Sequence, residues 1–139
     1  MSTVSITSRW SSWAPQMQAL LRMVTGFLFI WPGSMILFGY PMGMPGGAKL
    51  VLLSQVGIGG VLEFFGGILI VLGLFTRPVA FILAGEMAVA YWQFHAPKGP
   101  WPILNGGTDA AIFCFVFLFL SSAGAGAWSL DTLRVKRGA

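Results

Sequence analysis

Apolar residues run almost unbroken through four stretches of this chain, about residues 17–39, 50–75, 78–94 and 108–123, while polar residues collect in the connections between them. Wound as helices, stretches of roughly 20 apolar residues match the ~30 Å hydrocarbon core of a bilayer. The pattern predicts an all-α, polytopic membrane protein, a four-helix antiparallel bundle forming one domain over residues 1–139. The turn LFTRP at 74–78 is so short that the second and third helices must be antiparallel neighbours, with Pro78 at the first position of the third. The longer connections, GYPMGMPGGAK at 39–49 and APKGPWPILNGG at 96–107, are rich in Gly and Pro and read as interfacial turns.

Each stretch holds one ionisable residue in it or at its edge: Arg22, Glu63, Glu86 and Asp109. A charge at membrane depth is costly and marks a candidate functional site. Residues three and four apart share a helix face. Glu63 therefore lies with Gly59, Gly60, Gly66 and Gly67, a small-residue face that turns it into the bundle. Arg22 shares a polar and small stripe with Gln18, Thr25, Gly26 and Gly33, and Glu86 aligns with Ala90 and Gln93, with His95 at the outer end. The fourth helix, centred on AIFCFVFLFL, has no such stripe and is expected to be the most lipid-exposed. At 1.5 Å per residue Glu63 and Glu86 lie ~16 and ~12 Å from the inner end, similar depths at which one Arg22 guanidinium is expected to bridge both carboxylates. Two acids on one base leave a charge for a proton or mobile cation. The other reading of the trio is a structural ion-pair network.

Composition agrees with the pattern. The chain is 56% hydrophobic and 9% charged, with a mean hydropathy of +0.81, more apolar material than a soluble domain of 139 residues buries. Of its eight basic residues, Arg9, Arg22, Arg77, Arg134, Lys136 and Arg137 fall on one side of the expected bundle, and Lys49 and Lys98 on the other. By the positive-inside rule both termini are cytoplasmic. The net charge of +4 is then a topology signal, with a basic tail at 129–139 facing anionic lipid and no nucleic-acid footprint. Residues 1–16 lack the pattern of a cleaved signal peptide, and Trp10 and Trp13 read as an interfacial lead-in to a retained first span.

Cys114 is the only cysteine, which excludes an intramolecular disulfide and a thiol oxidase working through cysteine pairs. With one histidine, one cysteine and no phosphate-binding glycine loop, no metal, haem or nucleotide is expected, so electrons would come from a partner protein. His95, Asn105 and Asp109 gather with Lys98 at the outer mouth as candidate substrate-binding groups. The plainer roles are an interfacial anchor for His95 and a helix first-turn carboxylate for Asp109. Trp31, Phe64, Phe65 and Trp92 either line an apolar pocket for a ring or serve as packing and belt residues.

The segments LLRMVTGFLFIWPG (20–33), LEFFGGILIVLGLFTRPVA (62–80), HAPKGPWPILNGGTDA (95–110) and WSLD (128–131) together resemble the DoxX family of small four-helix membrane proteins. The resemblance covers most of the chain. It implies a bundle in the bacterial inner membrane, in a family associated with quinone-linked oxidation of sulfur compounds and with complexes handling thiols and oxidative stress. Arg22, Glu63, His95, Asn105 and Asp109 match recurring family positions. The chain departs at Pro32, Gly33 and Ile36, where relatives often carry His-Gly and a lysine.

Three functions follow. One is a membrane subunit of a quinone-dependent oxidoreductase, with Arg22, Glu63 and Glu86 handling protons and quinone as the cofactor. The others are a small proton-coupled transporter and a non-catalytic scaffold. Expected partners are the lipid bilayer and either a partner protein or further copies of the chain.

Overall fold

The computed structural model describes residues 6–138. Residues 1–5, part of the segment read as lacking a signal peptide, and Ala139 at the end of the tail lie outside the described residues. The all-helical expectation holds, and no strand occurs among the described residues. The helices are α1 (Ile6–Ser11), α2 (Ala14–Phe38), α3 (Gln55–Leu72), α4 (Thr76–Ala90), α5 (Thr108–Ala123) and α6 (Leu130–Gly138). Helices α2 and α3 are long and apolar enough to cross a membrane, and α5 is apolar but shorter.

Local chemistry sets the boundaries, which differ from the hydropathy pattern. Helix α3 begins at Gln55 rather than near residue 50, because the Ser54 hydroxyl accepts the Gly57 amide at 3.1 Å. It ends at Leu72, where Gly73 turns left-handed (φ 65°) and its amide bonds back into the last turn. Helix α4 starts at Thr76, so Pro78 is third and not first. That costs nothing, since first-turn amides have no intrahelical acceptor. Past Ala90 the chain continues in a wider π turn over Tyr91–His95, and α3 contains a second such turn at Leu62–Gly66. The 96–107 connection is not wholly turn, since Pro102–Asn105 winds into one helical turn. The basic tail forms the helix α6.

Packing is pairwise. Gly26 and Gly33 of α2 face Gly67 and Gly60 of α3 so closely that a methyl group at Gly26 would come within 2.8 Å of the Gly67 carbonyl. Such approach exchanges side-chain bulk for backbone contact, the means by which helices associate in lipid. The second pair, α4 and α5, interlocks larger side chains, burying Leu83, Ala84 and Met87 with Ala110, Phe117 and Leu120. Phe29 of α2 joins the pairs, meeting Phe113 and Phe117 edge-on with centroids 5.1 and 4.8 Å apart. Helix α5 is therefore not simply the most exposed helix. One face fills the core, and Ile112, Phe115 and Phe119 on the other are exposed. A polar stripe is no guide to apolar packing.

Candidate functional site

A groove of about 640 Å³ runs between α3 and α4, on the seam between the two pairs, and Glu63 and Glu86 both line it. The glycine face of α3 is split in two. Gly60 and Gly67 meet α2, while Gly59 and Gly66 meet α4, with Gly59 beside the Glu86 carboxyl and Gly66 against Leu83. Missing side chains on α3 thus make the space that Glu86 enters. Ile58, Leu62, Ile82 and Val89 supply apolar walls, and Ile58, Ile82 and Val89 are about half exposed, so the groove is open to the surroundings along its length. Gln55 and His95 line the end at the start of α3, where the Gln55 amide donates to Gln93.

Both glutamates keep one carboxyl oxygen, Oε2, buried and without a hydrogen-bond partner. A buried polar atom with no donor costs on the order of 1–3 kcal/mol. Such groups need a proton, or a ligand bringing donors or positive charge. The two acids line the one groove from facing helices. The volume and mainly apolar walls match an ordinary small-molecule site.

Arg22 is not part of this groove. The expected fork between Glu63 and Glu86 is replaced by a fully buried guanidinium at the opposite end of α3. Its three nitrogens donate only to backbone carbonyls: Nε to Ala125 (2.9 Å), Nη1 to Ile70 (2.7 Å) and Val71, and Nη2 to Ala127 (3.4 Å) and Trp128 (2.8 Å). The exposed carbonyls of a helix C-terminus attract a cation more strongly than a distant carboxylate can. Gly73 leaves room for the group, because a methyl there would lie 2.9 Å from the guanidinium carbon. Arg77 does the same for α5, donating to carbonyls of Ser121, Ser122 and Ala123.

Asp131, which was not among the expected site residues, completes this knot. Its two carboxylate oxygens accept the Phe75 and Thr76 amides at 2.8 and 2.9 Å, capping α4, and its own amide donates to Gly73. Burial opposes its charge, but these bonds and nearby Arg134 together hold the carboxyl below the ordinary carboxylate range. The WSLD segment is thus a fastening of the tail to both hairpins. An acid following a serine at the start of a basic segment was the available signal.

In the loop between α4 and α5, Asn105 is a structural organiser. It is buried, its side-chain Nδ2 donates to the Gly99 carbonyl at 2.8 Å, and its Oδ1 accepts the Gly107 amide at 2.8 Å. His95 Nδ1 lies 3.2 Å from the Asn105 backbone carbonyl, which ties the groove rim to this loop. Asp109 is exposed in the first turn of α5. The aromatic quartet is not assembled into a pocket. Trp31 contacts Phe27 and Tyr40, Phe64 contacts Phe38 and Phe65, and Trp92 is 71% exposed. Of the expected residues the groove unites only Glu63, Glu86 and His95.

A family model, DoxX, matches residues 17–96. That span takes in α3, α4, both glutamates and His95. An uncharacterized protein of Haemophilus influenzae is 42% identical over 126 residues, covering 88% of this chain and 94% of its own. No solved structure matches the chain significantly. A match over more than half the chain and a relative aligned over nearly its full length agree, and the chain is a membrane protein belonging to the DoxX family.

Proposed function

We propose that this protein is the membrane subunit of a quinone-linked oxidoreductase system, binding the quinone headgroup in the α3/α4 groove and handling its protons at Glu63 and Glu86. The observation that carries this reading is the pair of unpartnered Oε2 atoms in an apolar groove open to the surroundings. A quinol is a flat apolar ring with two hydroxyl donors, and two carboxyl oxygens are its natural acceptors. Quinone reduction takes two electrons from a redox partner and two protons, which the glutamates supply and then recover from water. The chain is proposed to cross the bacterial inner membrane four times with both termini cytoplasmic, in line with its six-to-two division of basic residues.

The absence of Arg22 from the groove favours a second reading, proton-coupled transport of a lipophilic cation, because two carboxyl groups there share a lining with no lysine or arginine among the described residues. The readings separate on one pair of variants. Under the quinone reading, Glu63→Gln and Glu86→Gln each lower quinol binding and quinone-dependent turnover by about tenfold or more, the loss of a hydrogen bond to a charged group. Undiminished quinol binding in both variants, together with lost cation-dependent proton flux in liposomes, would select the transporter.

A further inference from the structure

A second cavity lies at the terminal end of the molecule. It is a cleft of about 820 Å³ between the start of α4, the segment after α5, and α6. Three cations line it, Arg77, Arg134 and Lys136, against one carboxylate, Asp131, whose two oxygens are already engaged by the Phe75 and Thr76 amides. The cleft therefore carries unbalanced positive charge. One wall is apolar, with Phe75, Pro78 and Val135, and the Arg134 guanidinium sits 4.4 Å over the Phe75 ring. That contact fixes a charged head against the apolar wall.

Helix α6 carries both kinds of group. Leu133 and Val135 are exposed beside Arg134, Lys136 and Arg137, and Trp128 just before it is 62% exposed. Apolar and basic groups displayed together on a short helix suit the boundary between headgroups and acyl chains.

We propose that this cleft is a binding site for one anionic phospholipid, its phosphate held by Arg77, Arg134 and Lys136 and its acyl chains leaving over Phe75, Pro78 and Val135. The inference uses the membrane placement of the chain but is independent of what the α3/α4 groove binds. A zwitterionic headgroup brings its own cation and gains less from three basic groups. The site would tie α6 to the hairpins through a bound lipid as well as through Asp131.

The test is native mass spectrometry of the full chain released from nanodiscs of phosphatidylcholine mixed with phosphatidylglycerol. Wild type is expected to retain one phosphatidylglycerol. Arg134→Gln with Lys136→Gln should lower that occupancy about tenfold, while Arg137→Gln, outside the cleft lining, leaves it unchanged. Circular dichroism of each variant checks that the helices persist. Equal loss in both variants would mean diffuse charge attraction and would overturn the site, as would retention in the double variant. Displacement of the lipid by inorganic phosphate would assign the cleft to a soluble anion and overturn the lipid source.

Discussion

Asp131 joins the tail to the start of α4 through two amide hydrogen bonds, and it does so only as a carboxylate. Its carboxyl is held below the ordinary range, so its contribution to stability is complete above the unfolded value, ~3.9, and is lost as pH falls through the lower folded value. Asp131→Asn is expected to melt lower at neutral pH and to lack the part of the acid-induced decrease seen in wild type below about pH 4. Melting temperature followed by circular dichroism from neutral to acid pH checks this, and superimposable curves would remove Asp131 from the fastening. The same residue shows what sequence leaves hidden. Its partners are amides at positions 75 and 76, and no side-chain type marks a backbone group as a partner. Arg22 is the converse case. Its burial was legible from the polar stripe, but five carbonyl acceptors had no sequence signature, so the expected acidic partners were the wrong ones.

At the scale of elements, glycine placement decides which helices meet. Gly26, Gly33, Gly60 and Gly67 form the α2/α3 seam, and Gly59 and Gly66 open the groove toward α4. Gly26→Val would drive a side chain into the Gly67 carbonyl and the Val71 backbone, and is expected to cost about 1–3 kcal/mol. Thermal unfolding in detergent measures it, and a variant as stable as wild type would contradict the close seam. The gathering of small residues around Glu63 was readable at helical spacing. Its two faces follow from the same spacing, since Gly59 with Gly66 and Gly60 with Gly67 are each seven residues apart and the pairs are offset by one residue, but which neighbouring helix each face meets was not readable. Helix starts at Gln55 and Thr76 were missed for different reasons. Apolar residues run up to the first boundary, and Thr-Arg-Pro at the second reads as a turn, so only Ser54 and the distant Asp131 mark where the backbone begins to wind.

The whole molecule is two tight antiparallel pairs joined less closely along a seam that holds both glutamates. A polar knot of Arg22, Arg77 and Asp131 closes the terminal end, and the Asn105 loop closes the other. The proposed orientation is open to direct test. In a Cys114→Ser background, Lys49→Cys should react with a membrane-impermeant thiol reagent added to spheroplasts, and Gly138→Cys should react only after lysis. The reverse pattern would invert the topology.

Whether the α3/α4 groove takes a quinone headgroup is decided by photo-crosslinking of the purified full chain with an azido-quinone, mapped by peptide mass spectrometry. Adducts are expected on groove residues such as Ile58, Leu62, Met87 and Val89, competed by unlabelled quinone and diminished in Glu63→Gln. Labelling confined to exposed residues such as Trp92 or Phe115, unaffected by competitor or by the glutamate variant, would contradict it.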